Sequence, residues 1–166
     1  RDHDGARNRM DGMANPVPVV SLAELAGLAE VVVECAPAAV FAEVAEAAVE
    51  AGRIFIPLSC GALLQHPDLA ARAAETGARI IVPTGALVGL DAVRAASEGI
   101  IHSVHMVTRK PPNGLAGAPH LVDNNISVEN LTAAKLVFAG TARAAAKAFP
   151  ANVNVAAALS MAGNGP

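Results

Sequence analysis

Apolar residues fall along the first half of the chain in two alternating patterns. Three short runs are almost continuously apolar and rich in β-branched residues: Val31-Val32-Val33-Glu34-Cys35, Arg53-Ile54-Phe55-Ile56-Pro57 and Arg79-Ile80-Ile81-Val82-Pro83. Such runs predict strands buried on both faces, as in a parallel sheet. Between them the period lengthens. Val40, Val44 and Ala48 recur on one face with Phe41 beside them, while Glu43, Glu46 and Glu50 point elsewhere. That spacing predicts a helix over 38–51, with Gly52 placed for a left-handed cap. A shorter helix is expected over Asp68–Glu75, closed by Gly77. The strands begin near residues 31, 54 and 79, a spacing of one βα unit, which predicts right-handed crossovers and an open parallel sheet.

The pattern changes after residue 84. Leu87, Leu90 and Val93 mark a helix ending at Gly99, and Ser103 to Lys110 reads as a strand. Residues 111–119, Pro-Pro-Asn-Gly-Leu-Ala-Gly-Ala-Pro, form a long loop of the kind that often carries function. A short helix within 127–136, a strand at Val137–Gly140, a helix over Thr141–Phe149 and a last helix from Asn154 to Met161 complete the reading. At the other end, residues 1–16 are a loop or a frayed helix, and Pro16 to Val20 is extended. Ser21 and Glu24 form a capping box. A domain boundary is expected near 84–86, dividing the chain into 1–84 and 85–166.

Composition narrows the function. Lys and Arg number 12 against 15 Asp and Glu, and hydrophobic residues make up 53%. This balance is too acidic for a phosphate-backbone reader, and too apolar for disorder. With four Phe and no Trp or Tyr, a nucleic-acid site built on base stacking is excluded as well. No apolar run is long enough to span a membrane. Cys35 and Cys60 are too few for a disulfide framework and fit a reducing, cytoplasmic compartment. Both ends, Arg1 to Gly5 and Gly163 to Pro166, read as cut.

In an open parallel sheet, ligands bind beyond the carboxyl ends of the strands. Here those ends are Glu34-Cys35-Ala36-Pro37, Leu58-Ser59-Cys60-Gly61 and Thr84-Gly85-Ala86. Their small residues suit either a ligand approaching backbone N–H groups or simply a tight turn. No Gly-x-Gly-x-x-Gly fingerprint occurs, although a self-contained dinucleotide site should carry one. The five histidines make no metal pattern: His102 and His105 would face opposite sides of a strand, and His3, His66 and His120 fall in loops. Cys35 and Cys60 end neighbouring strands, as small buried hydrophobes or as a redox pair. Arg109 and Lys110, at the head of the Pro/Gly loop, are either a pair of cations that could receive carboxylates or phosphates or a solvated strand end. Asn154 suits a helix N-cap, which leaves the Asn152 amide free for a ligand.

Four stretches resemble the L-aspartate dehydrogenase family: Val32 to Pro37, Ile81 to Ala92, Thr108 to Gly117 and Phe149 to Ala156. The resemblance runs in order over almost the whole chain. It implies an α/β fold: a partial Rossmann-like domain with a parallel sheet, followed by a partial α/β domain for substrate binding and dimerisation. It implies oxidation of L-aspartate to iminoaspartate with NAD or NADP, feeding NAD biosynthesis, in a homodimer. By position, Ala86 and Asn152 match the family's NAD-contacting alanine and asparagine, with Cys35, Ala36 and Pro37 at the cofactor edge. Lys110 becomes the candidate for the substrate carboxylate. The family's glycine-rich turn would precede Arg1 and its catalytic histidine would follow Pro166, so no residue here inherits the catalytic role. Two other readings stay open: an inactive fragment of that enzyme, or a related oxidoreductase acting on another amino or hydroxy acid.

Overall fold

The computed structural model describes residues 2–83, 87–163 and 165. Three parallel strands form its sheet in the order β1 (Val31–Glu34), β2 (Ile54–Pro57) and β3 (Arg79–Ile80). Val32 pairs with Phe55 and Phe55 with Ile80. The fold is α/β, as the spacing predicts. β3 is shorter than its apolar run, although Ile81 N–H still donates to the Phe55 carbonyl at 2.8 Å.

The expectation of strands buried on both faces does not hold for β1. Val32 and Glu34 are buried, whereas Val31 and Val33 are 46% and 53% exposed. The reason lies in the helices. After β1 comes a 3₁₀ turn, Ala38–Val40, and then α3 (Phe41–Glu50); α5 (Asp68–Thr76) follows β2. Val32 and Phe55 share one core with Phe41, Val44, Ala48 and Leu69, so both helices pack on the same face. Phe41 is fully buried and meets Phe55 edge-on, with ring centroids 5.9 Å apart. Gly52 and Gly77 close the two helices at φ +67° and +76°, where a Cβ would be strained. Upstream lie α1 (His3–Asp11) and α2 (Leu22–Leu28). Both Ser21 N–H and Ser21 Oγ donate to Glu24, and these bonds hold its carboxyl below the ordinary value.

A second core draws on both halves of the chain. It gathers Cys60 and Leu64 with Leu90, Leu121, Phe149, Val153 and Ala157. The helices are α4 (Cys60–Leu63), α6 (Leu90–Ala96), α7 (Pro119–Asp123), α8 (Ala142–Ala148) and α9 (Asn154–Ala162). α9 packs against α4, α6 and α8. Thr141 caps α8 by accepting from Ala144 N–H at 3.2 Å.

Several sequence expectations need correction here. Ser103–Lys110 and Val137–Gly140 form no strand among the described residues, and 127–136 forms no helix. Residues 103–110 are exposed, so their β-branched side chains find no ladder that would turn propensity into a strand. In 127–136, Asn130 sits at φ +53°, which interrupts a right-handed helix. The 111–119 loop holds a 3₁₀ turn at Pro112–Gly114, and Pro119 opens α7, because proline tolerates the first helical position. His3 and His120 lie in helices rather than loops.

Candidate active site

The carboxyl edge of the sheet is organised by a buried acid. Glu34, the last residue of β1, is 1% exposed. Its carboxylate accepts from Ala36 N–H at 2.7 Å and from Ser59 N–H and Ser59 Oγ, both at 3.1 Å. A buried carboxylate needs such donors, because desolvation without them costs several kcal/mol. The result pins the turn after β1 to the turn after β2. Cys60, next in the chain, is buried, and its Sγ lies 3.6 Å from the Pro57 carbonyl. Burial pushes the Cys60 thiol up, and the Glu34 carboxylate adds to the shift.

From Ser59 the path continues into the second core. Gly61 N–H donates to Asn154 Oδ1 at 3.0 Å. Arg143 on α8 donates to the Leu64 carbonyl. α4 therefore ties β2 to α8 and α9.

Beside α8 and α9 lies a cavity of about 510 Å³, within the range of small-molecule sites. Its walls include Met106, Phe138, Phe149 and Leu159, with Thr108, Thr141, Asn152 and Ser160 among its polar groups. Lys110 is the one ionisable side chain that lines it among the described residues. Asn152 Nδ2 donates to the Gly114 carbonyl at 3.2 Å. The amide is therefore not wholly free, contrary to the sequence expectation: one of its two N–H groups is engaged, and its oxygen and second N–H are left for a ligand. His120 stacks edge-on against Phe138, with centroids 5.2 Å apart, and so braces the wall.

Of the residues singled out in the sequence, Lys110 and Asn152 meet in this cavity. Cys35, Ala36 and Pro37 sit at the end of β1, joined to the Ser59 turn through Glu34, and do not line it. Ala86 lies outside the described residues. Cys35 is exposed and Cys60 buried. Asn154 is the first residue of α9, with Val153 at the cap position, so it is no N-cap; its side chain serves Gly61 instead. Two sets of contacts were not visible in the sequence, those of Glu34 and the one between Gly61 and Asn154. The signal for Glu34 was a lone acid ending an apolar strand. For the Gly61–Asn154 contact there was none, since 93 residues separate the partners.

Comparison with known proteins decides what this arrangement belongs to. A family model described as "Aspartate dehydrogenase, C-terminal" matches residues 91–166. Another, described as "Homoserine dehydrogenase, NAD binding domain", matches residues 2–83. L-aspartate dehydrogenase 3 of Bordetella bronchiseptica is 52% identical over 166 residues, which is 100% of this chain and 61% of that protein. L-aspartate dehydrogenase of Bradyrhizobium diazoefficiens is 52% identical over 157 residues, covering 95% of this chain and 56% of its own length. The chain belongs to the L-aspartate dehydrogenase family. It spans less than two thirds of the length of these relatives.

For an aspartate dehydrogenase the cavity has suitable chemistry. Phe138, Phe149 and Leu159 give it an apolar wall, Asn152 an amide and Lys110 a cation. An apolar wall beside an amide is chemistry that fits a nicotinamide ring and its carboxamide.

Proposed function

We propose that the protein oxidises L-aspartate to iminoaspartate with NAD or NADP. The observation that carries this reading is the pairing of Lys110 and Asn152 in one cavity of small-molecule size. Lys110 would hold a substrate carboxylate through a charge-assisted hydrogen bond. Asn152 would accept from the carboxamide of the cofactor through its oxygen, and Ala86, Cys35, Ala36 and Pro37 would complete the cofactor edge. When bound, the nicotinamide would supply the acceptor for the hydride of the substrate Cα, with the amine proton passing to a base. Lys110 and Asn152 would fix the two partners relative to each other, which is where much of the rate advantage of a bound pair arises. Iminoaspartate then hydrolyses to oxaloacetate and ammonia or enters pyridine nucleotide synthesis.

The reading extends to a cytoplasmic homodimer of two-domain subunits divided near 84–86. Large apolar side chains such as Ile100, Val107 and Leu136 are at least 82% exposed, which supports a second copy covering this half. No helix of the described residues is long and apolar enough to cross a membrane.

The test is to supply the whole protein with L-aspartate and NAD or NADP and follow the absorbance of the reduced cofactor. Aspartate-dependent reduction is expected. Turnover of homoserine or another hydroxy or amino acid, with none of aspartate, would overturn the substrate assignment. Light scattering would check the dimer.

A further inference from the structure

Asn154 does not line the cavity, yet the turn that carries Asn152 is built around it. Its Oδ1 accepts from Gly61 N–H at 3.0 Å. Gly61 is buried in the first turn of α4, where backbone N–H groups lack a helical carbonyl, so Asn154 supplies the acceptor that this donor needs. The approach is close as well. A Cβ on Gly61 would stand 2.9 Å from Val153 Cγ2 and 3.3 Å from Asn154 Oδ1, so only glycine lets the two segments meet. Two residues away, Asn152 N–H donates to the Phe149 carbonyl at 2.9 Å and Asn152 Nδ2 to the Gly114 carbonyl. The turn is thus held on one side by the Pro/Gly loop and on the other by the end of β2. Ser59, two residues before Gly61, is fixed in turn by Glu34.

We propose that Asn154 is a positioning residue, which with Gly61 sets where Asn152 stands in the cavity wall relative to the carboxyl edge of the sheet. Asn154 acts on the cofactor only through Asn152, so the role rests on the function proposed above. A structural contact alone would lower the amount of folded protein and leave the affinity of the folded fraction unchanged. A positioning contact changes that affinity.

The experiment uses the whole protein and reads NADH binding by fluorescence, with the KM for NAD set against kcat. Asn154→Ala should weaken NADH binding and raise the KM roughly five- to twentyfold, the scale of losing the one hydrogen bond through which Asn152 would hold the cofactor, with kcat changed less. Asn154→Asp keeps an acceptor oxygen on the same stem and should remain close to the unaltered protein. In an Asn152→Ala background, Asn154→Ala should add little further, because both changes act through one group. If Asn154→Ala does not fold, Gly61→Ala presses on the same turn from the other side. It should give the same rise in KM and the same lack of additivity. Full additivity with Asn152→Ala, or lost stability with KM unchanged, overturns the positioning role. Failure of the unaltered protein to bind NADH or NADPH overturns the proposed function itself, and the positioning role with it.

Discussion

The Glu34 carboxylate accepts from both the backbone N–H and the hydroxyl of Ser59, 25 residues away, at 3.1 Å each. One buried acid thereby fastens two βα turns whose sequences share no motif. Glu34→Ala would leave the N–H groups of Ala36 and Ser59 without acceptors. Each orphaned donor costs about 1–3 kcal/mol, so the loss should be roughly 2–6 kcal/mol, read as a lower urea midpoint. Glu34→Gln keeps one acceptor oxygen but turns an NH₂ towards donors, and should fall between. A midpoint unchanged by Glu34→Ala would show that the turns hold without this acid.

Lys110→Met keeps the aliphatic stem and removes the charge. If Lys110 holds a substrate carboxylate, the KM for aspartate should rise roughly tenfold to a hundredfold, the worth of one charge-assisted hydrogen bond. The KM for NAD should stay put. Steady-state kinetics with each substrate varied in turn separates the two, and an unchanged aspartate KM removes Lys110 from the site.

The two cysteines should behave differently towards a thiol reagent. Cys35 is exposed and Cys60 buried, so under native conditions one thiol should react at once and the second only on unfolding. The raised pKa of Cys60 also gives stability a pH dependence. Its ordinary value is 9.0, so above that pH the folded state binds more protons than the unfolded state. The contribution is fully present below pH 9.0 and is lost as pH rises through the folded value. Urea midpoints of the protein and of Cys60→Ala, compared at neutral and alkaline pH, should converge as pH rises.

Two helix-ending glycines offer a graded pair. Gly77 sits at φ +76° with open space where a Cβ would go, whereas at Gly52, φ +67°, a Cβ would stand 3.1 Å from the Thr76 carbonyl. Gly77→Ala should cost about 1–2 kcal/mol from left-handed strain alone. Gly52→Ala should cost more, since a backbone oxygen cannot step aside. Equal losses in thermal unfolding would show that the Thr76 segment yields freely.

The first half was legible because its signals are local. Val31 to Glu34 and Ile54 to Pro57 pair as their apolar runs predict, and Gly52 and Gly77 fall where a cap is needed. The exposed face of β1 was not legible, because Val31 and Val33 are as apolar as Val32 and only the placement of α3 and α5 separates them. In the second half the same reasoning overreached. Ser103–Lys110 and Val137–Gly140 have strand composition, but a strand exists only where a partner supplies the ladder. Asn154 shows the limit most clearly. Capping rules look one turn ahead, while its real partner, Gly61, arrives from the far side of the fold. Of the candidate site residues, Lys110 and Asn152 line one cavity, whereas the long-range contacts of Glu34 and Asn154 leave no local signal in the sequence.

The division of the two cores has a consequence for the order in which the chain becomes native. The buried residues of the first core all lie between Val32 and Ala78, and those packed on its margin between Leu25 and Ile80, so that core can close while the chain is still being synthesised. Cys60 and Leu64, although enclosed by the same stretch, belong to the second core and need Phe149, Val153 and Ala157. In the nascent chain Ala62 and Leu63 of α4 already rest on the first core, while the side that carries Cys60 and Leu64 waits uncovered, a short sticky edge on an otherwise finished unit. A ribosome pausing before Ala142 would hold it in that state, within reach of chaperones or of a neighbouring nascent chain, until α8 and α9 emerge.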